Sequence, residues 1–203
     1  MFWAAIPQKM MKYIRHHGHI GYFCRMLLAD KKKQENISEY IIYMYQTEML
    51  IRNFDFDLEK IKIHVFGNIP DEKMTEAQRE EAIDWYAEVI AQMKKEKLEK
   101  EGHLAEVQQI VEQLSELSIR LLSENEDYRA VFNAARPAIR ENIEASEGLI
   151  SNPVQVCLNG VLGLLIARMN GRHIPDDTMV QIEHFGNILS LLSHFYKKNQ
   201  SSS

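Results

Sequence analysis

Residues Gln34 to Phe54 read QENISEYIIYMYQTEMLIRNF, and this stretch decides the fold. At 3.6 residues per turn it predicts an α-helix that is apolar around nearly its whole circumference. One side of that helix carries four large apolar residues and a single charged one: Ile37, Ile41, Met44, Glu48 and Ile51. Because such a helix must be covered on most sides by other helices, the sequence predicts an all-α fold, a single compact bundle of about six to seven helices.

The composition and charge of the chain limit its possible partners. With 203 residues, 45% of them apolar, the chain can bury one sizeable core. Residues 1–25 contain four basic residues and no acidic one, so the rest of the chain holds 20 basic and 29 acidic residues. An acidic body without a Lys/Arg stripe argues against nucleic acid and against an anionic membrane surface as partners. The most apolar segment, residues 154–167, is too short for a transmembrane helix, which needs about 20 apolar residues.

The two cysteines favour a reducing compartment. Cys24 lies near the N-terminus, and Cys157 lies inside an apolar segment, where a buried free thiol is common. This pattern does not indicate a disulfide framework. We therefore expect a cytoplasmic protein.

Residues 1–25, MFWAAIPQKMMKYIRHHGHIGYFCR, differ from the rest of the chain because they lack both acidic residues and a helical apolar stripe. Their short apolar run precedes the basic residues, which is not the order of a signal peptide. We interpret them as an over-called or disordered extension, followed by a helical bundle domain over residues 32–198 and a disordered tail over residues 199–203. A minor alternative is metal binding by the tract's histidines and cysteine, a compositional hint only: His16, His17, His19 and Cys24.

Several helix boundaries can be placed in the first half of the chain. A short amphipathic piece, Leu58 to Phe66, precedes a start at Thr75, where Gln78 three residues later completes a capping box. This helix is expected to continue into the charged run KKEKLEKE and to end at Gly102. The next helix is expected from His103 to about Ser123.

The second half of the chain predicts three more helical segments. Pro137 cannot donate to a helix ladder, so we expect a kink or break near Ala135. Asn152 and Pro153 predict a capped helix start, and the apolar segment that they open should be central. The last helix is expected to run from Pro175 to about Lys198.

Two glycines inside the apolar segment need an explanation. Gly160 and Gly163 each cost about 1 kcal/mol of helix propensity relative to alanine. We expect them to permit the close approach of a neighbouring helix.

Five stretches of the chain resemble a family of uncharacterised, mainly Bacteroidetes proteins known as Domain of Unknown Function 4924. The stretches are QENISEYIIYMYQTEMLIR, IDWYAEVIAQM, EGHLAEV, YRAVFNAARPAIREN and NGVLGLLIARMNGRHI. The resemblance covers about residues 32–196 and is strongest in the first stretch and at the Gly102-His103-Leu104 junction. It implies an all-helical, cytosolic bacterial protein. It implies no activity, cofactor or catalytic residue.

Glu48 is the one charge within the apolar stripe of the first helix. An unpaired buried carboxylate would cost several kcal/mol, so Glu48 must be paired, protonated or exposed at an opening. Arg52, one turn later, is the expected partner, with the hydroxyl of Tyr40 or Tyr45 completing a structural pair. The alternative is a ligand pocket whose polar floor contains Glu48, Arg52, Tyr40, Tyr45 and His103.

The histidines and the sequence motifs give little indication of a catalytic or metal site. His103 follows Gly102 at a helix start, where a junction hydrogen bond is expected more than catalysis. No histidine is preceded by a glutamate at the spacing of a helical di-iron site, so we expect no metal. Motifs for zinc proteases, serine hydrolases and nucleotide-binding loops are absent, and we expect no cofactor.

These observations favour a non-enzymatic helical protein that acts through protein–protein contacts or self-association. The alternative is a small-ligand-binding protein or an enzyme with a polar pocket around Glu48 and Arg52. A deep pocket at these residues would favour the alternative, whereas a filled core with an exposed apolar patch would favour the interaction hypothesis.

Overall fold

The computed structural model describes residues 29–200, and all regular structure in this part of the chain is helical. Its α-helices are α1 (Ala29–Glu35), α2 (Ile37–Asn53), α3 (Leu58–His64), α4 (Glu76–Lys95), α5 (Ala105–Glu124), α6 (Glu126–Ala145), α7 (Pro153–Met169) and α8 (Asp176–Gln200). A 3₁₀ turn, Phe66–Asn68, lies between α3 and α4. The predicted all-α bundle fold is confirmed. The predictions for residues 1–25 and for 201–203 lie outside the described residues, whereas Asn199 and Gln200, expected in the disordered tail, belong to α8.

The described helices form two compact units. The first contains Ala29 and residues 43–105, and the second contains residues 30–42 and 106–200. Helix α2 contributes its first six residues to the second unit and the remainder to the first.

In the first unit, α3 packs against the 3₁₀ turn and against α4. The capping box predicted at Thr75 and Gln78 is confirmed and starts α4. Arg79, one turn into α4, donates to the backbone carbonyls of Phe66 and Ile69 and so fixes the 3₁₀ turn. The largest fully buried side chains of this unit are Tyr45, Ile51, Phe54, Ile61, Met74 and Met93.

In the second unit, α6, α7 and α8 pack against one another. The start of α2 joins them through Ser38, whose hydroxyl lies 2.8 Å from that of Ser193 on α8. The Tyr128 hydroxyl on α6 lies 2.6 Å from the Ser118 hydroxyl on α5, and burial raises the pKa of Tyr128 to about 12. The most deeply buried side chains of this unit include Leu114, Tyr128, Leu158, Leu162 and Ile188.

Two predicted helix boundaries in the first half of the chain were wrong. The segment before Asn36 is a separate helix, α1, because the Asn36 side chain accepts the Glu39 N–H and starts α2 anew. Helix α4 ends at Lys95 rather than at Gly102. The charged run beyond Lys95 turns away because Lys97 adopts a left-handed φ of 59°, a conformation more usual for glycine.

The predictions for α6 and α7 met different outcomes. A kink or break was expected near Ala135; helix α6 continues through Pro137, so the break was wrong, and the kink stays a prediction. The predicted start of α7 is confirmed: Asn152 caps it and Pro153 occupies its first turn.

A Cβ on Gly160 would lie only 2.6 Å from the Phe185 ring on α8, which confirms the close approach there. At Gly163 a Cβ would meet no atom within 4 Å, so the same prediction was wrong for Gly163.

Candidate functional site

Glu48 lies inside the first unit with no exposed surface, as its place in the apolar stripe of α2 predicted. One carboxylate oxygen lies 2.6 Å from the Nδ1 atom of His103, and the other accepts the backbone N–H of Leu104 at 3.0 Å. Both oxygens therefore have protein partners. These two contacts offset the free-energy cost of removing the carboxylate from water.

Arg52 does not pair with Glu48, so the predicted Glu48–Arg52 ion pair was wrong. Its Nε donates to the Leu98 carbonyl at 2.9 Å, and its Nη2 donates to the Gly102 carbonyl. Burial lowers the pKa of the Arg52 guanidinium, and the nearby Glu48 charge opposes that shift. The two residues lie one turn apart on α2 and hold different parts of the same loop.

That loop, residues 96–104, has a defined local geometry. At its start the Lys97 and Leu98 N–H groups donate to the Lys94 and Met93 carbonyls, the Schellman pattern that ends a helix. At its end the Glu96 carboxylate accepts the Ala105 N–H at 2.8 Å and so caps α5. We call Glu48, Arg52 and residues 96–104 the latch, because two side chains of α2 hold the connection between α4 and α5.

Tyr45 completes the environment of His103. The two rings stack with centroids 3.6 Å apart and an interplanar angle of 21°. Tyr45 has no exposed surface, and the His103 side chain is 16% exposed. Tyr40 belongs to the second unit, where the Lys33 ammonium lies 5.4 Å from its ring. The structure therefore gathers four of the five predicted site residues.

The chemistry available to this group is that of an oriented imidazole. A carboxylate that accepts from Nδ1 fixes the histidine tautomer and orients the ring, as in catalytic dyads. The polar and ring contacts of the His103 side chain are with Glu48 and Tyr45, and neither of these residues is a serine or cysteine nucleophile. Within residues 29–200 no group of three His, Cys, Asp or Glu side chains could hold a metal ion.

A second feature, which the sequence analysis did not identify, lies at the turn between α7 and α8. On α7 the buried stripe of Val154, Leu158 and Leu162 continues at the same spacing to Leu165 and Met169, which are partly exposed. We call residues 161–182 the hairpin tip. Leu162 is the one fully buried residue of the tip, although the tip also contains these large apolar residues: Val161, Leu164, Leu165, Ile166, Met169, Ile174, Met179, Val180 and Ile182.

Helix α8 shows the same change along its length. Leu192, Leu189 and Phe185 are buried, and the stripe that they form continues toward the N-terminus of α8 to Ile182 and then Met179, which are partly exposed. The expectation that α7 is central was therefore correct only for its first half. The apolar pattern predicted full burial for the whole helix, but among the described residues its apolar side chains beyond Leu162 are only partly buried.

A groove of about 650 Å³ also lies in the second unit, between α5 and α8. Most of its lining residues have polar side chains: Gln113, Glu116, Leu117, Arg120, Tyr196, Asn199 and Gln200. No latch residue lines it.

Comparison with known proteins gives a family and no activity. No helix among residues 29–200 is long and apolar enough to cross a membrane. Neither the curated proteins nor the solved structures contain a significant match to the chain. A family model described as a domain of unknown function matches residues 26–203, which is most of the chain. The chain therefore belongs to the DUF4924 family.

Proposed function

We propose that the protein acts through protein–protein contacts made by the hairpin tip. One observation carries this proposal. The apolar stripes of α7 and α8 begin among fully buried residues and continue, at the same spacing, into residues that are only partly buried. Leu162 is 1% exposed, whereas Leu165 and Met169, next on the same stripe, are partly exposed. Water-exposed apolar surface arranged in one patch is typical of an interaction site.

The sequence of the tip supports binding more than it supports folding. A helix end that only needed to be solvated would carry polar residues at the positions of Leu165, Met169 and Ile182. The exposed part of these apolar side chains gains stability only when another surface covers it, at about 25 cal/mol per Å² of apolar area. The covering surface is the proposed partner.

The ligand-binding alternative around Glu48 and Arg52 has less support. Both Glu48 oxygens contact His103 or the Leu104 backbone, and Arg52 contacts two backbone carbonyls. A ligand at this site would have to displace contacts that already satisfy buried groups. We therefore assign the latch a structural role and propose a protein without catalytic activity.

A cytoplasmic location is part of the same proposal. Cys157 is a free thiol with no exposed surface, and burial raises its pKa to about 12. Such a thiol is unreactive, which fits a reducing compartment in which no disulfide is needed.

Site-specific photo-crosslinking in the native cells tests the proposed function. A photoreactive residue is introduced at Leu165 or at Ile182 on the tip, and a matched control is placed at Ile119, an isolated apolar residue on α5 that is 68% exposed. We expect discrete crosslinked protein species from both tip positions and none from Ile119. Equal crosslinking at all three positions, or none at the tip, would refute the proposal.

A further inference from the structure

We infer that the partner of the hairpin tip is a second copy of the same chain, paired so that the two tips cover each other. This inference rests on the proposed function and identifies its partner. In a two-fold pairing the same patch is used on both copies, so the patch must be complementary to itself. The tip meets this requirement in both its apolar and its charged residues.

The charges of the tip are separated by sign. The basic residues are Arg168, in the last turn of α7, and Arg172, in the turn that follows. The acidic residues, Asp176, Asp177 and Glu183, lie at the start of α8, and all five charged residues are exposed. Within residues 29–200 none of these five side chains forms an ion pair. Some exposed charges elsewhere do pair, such as Arg140 with Glu144 at 2.7 Å, and others, such as Arg120, form no ion pair among the described residues. The inference therefore depends on the placement of both signs beside the apolar residues of the tip.

This distribution fits a two-fold axis that passes close to the tip. Such an axis places the basic α7 end of one copy beside the acidic α8 start of the other, twice per interface. The apolar residues then form the centre of the contact: Leu165, Met169, Met179 and Ile182. Charged pairs at the rim of an apolar contact fix orientation and exclude partners of the wrong sign.

A single-sign partner fits the tip less well than a second copy does. A basic partner would be repelled by Arg168 and Arg172, and an acidic partner by Asp176, Asp177 and Glu183. A partner must therefore present both signs in a matching arrangement. The chain itself presents that arrangement.

Two charge-reversal variants of the full chain test the inference. The first, Arg168→Glu with Arg172→Glu, makes the tip acidic, and the second, Asp176→Lys with Glu183→Lys, makes it basic. The purified wild type should sediment at twice the 23.7 kDa mass of the chain. Each variant alone should dissociate at least about tenfold more readily, because like charges then face each other across the interface. An equimolar mixture of the two should restore a 1:1 pair with wild-type affinity.

A matched control makes the same net-charge change as the first variant, but at two arginines that lie outside the tip. The variant Arg120→Glu with Arg136→Glu alters two exposed arginines on α5 and α6 and should associate as the wild type does. If either double variant fails to give the wild-type circular dichroism spectrum, the single variants Arg168→Glu and Glu183→Lys replace them in the same mixing experiment.

The outcomes separate this inference from the proposed function. A wild type that remains a single chain at all concentrations, or variants that do not recover association on mixing, would overturn self-pairing. Tip crosslinks to a different protein in cells would also overturn self-pairing but would keep the proposed function. A monomer whose tip becomes accessible to crosslinking only after deletion of residues 1–25 would overturn both, because the chain would then cover its own tip.

Discussion

The latch buries a charged side chain, whereas the hairpin tip leaves apolar side chains partly exposed. In the latch, a charged residue with no exposed surface lies inside the first unit, and every oxygen of its carboxylate has a protein partner. In the tip, large apolar residues lie partly in water, and its charges have no ion-pair partner among the described residues. The latch is complete within one chain, whereas the tip becomes complete only with another surface.

This difference shows how a site should be judged when no ligand is known. A buried charge attracts attention because it is costly, but its cost is already offset when protein groups satisfy it. A partly exposed apolar stripe attracts less attention because single exposed apolar residues are ordinary. The apolar stripe of α7 is informative here because it continues, at unchanged spacing, past Leu162, the last fully buried residue on it.

The largest expected effect concerns the latch. Glu48→Ala leaves the Leu104 N–H and the His103 ring without their acceptor and should destabilise the protein by about 3–5 kcal/mol. Urea denaturation measures this change. The matched control is Glu112→Ala, an exposed glutamate on α5, which should change stability by less than about 0.5 kcal/mol. Similar losses for the two variants would show that the Glu48 contacts do not stabilise the fold.

A double-mutant cycle identifies the partner of Glu48. Because the carboxylate contacts His103 and not Arg52, Glu48→Ala and His103→Ala should be non-additive by about 1–3 kcal/mol. The combination of Glu48→Ala with Arg52→Met should be closer to additive. The reverse order of coupling would restore the original prediction of a Glu48–Arg52 pair.

The next prediction locates the point at which the cover of α7 ends. Gly160→Ala places a Cβ against the buried Phe185 ring and should destabilise by about 1–3 kcal/mol through overpacking. Gly163→Ala, three residues later, meets open space and should stabilise by about 0.4–1 kcal/mol through helix propensity. Thermal denaturation of both variants checks the difference. Equal signs for the two would place the boundary elsewhere.

A smaller effect is expected for the second side chain of the latch. Arg52→Lys keeps the charge but replaces the two donating nitrogens, Nε and Nη2, with one ammonium nitrogen that does not match the positions of both the Leu98 and Gly102 carbonyls, so it should cost about 1–2 kcal/mol. The control is Arg140→Lys on the exposed face of α6, which should cause no measurable change. A neutral Arg52→Lys variant would mean that the loop does not need these two bonds.

The smallest effect is expected at the tip itself. Leu165→Ala should cost about 1 kcal/mol or less in a dilute sample, because this side chain is only partly covered within the chain. Leu162→Ala, on the same stripe but 1% exposed, should cost about 2–5 kcal/mol. Urea denaturation at one low protein concentration compares the two. A large loss for Leu165→Ala would show that the tip belongs to the folded core.

The sequence predicted the fold better than it predicted the contacts. Periodicity and capping residues located most helices because these signals act within a few residues, as at Thr75 with Gln78 and at Asn152 with Pro153. The end of α4 was misplaced because Lys97 adopts a backbone conformation that favours glycine, and nothing in its residue type announces this.

Contacts between distant residues were harder to predict. The burial of Glu48 followed from its stripe, but its partners lie more than 50 positions away, and a local search could find only Arg52. Likewise, Gly160 and Gly163 are equivalent in the sequence, and only the position of Phe185 on α8 distinguishes them. The apolar stripe of α7 could not show where full burial ends, since the residue types on the stripe stay apolar along the whole helix.

Amide hydrogen exchange of the full chain at low and at high protein concentration tests the contrast between the two regions most directly. Peptides from residues 161–182 should exchange more slowly as the concentration rises, because a second chain then covers the hairpin tip. Peptides from residues 96–104 should exchange at the same rate throughout, because the latch is closed within each chain. Exchange at the tip that does not depend on concentration, or a latch that becomes protected instead, would contradict this account.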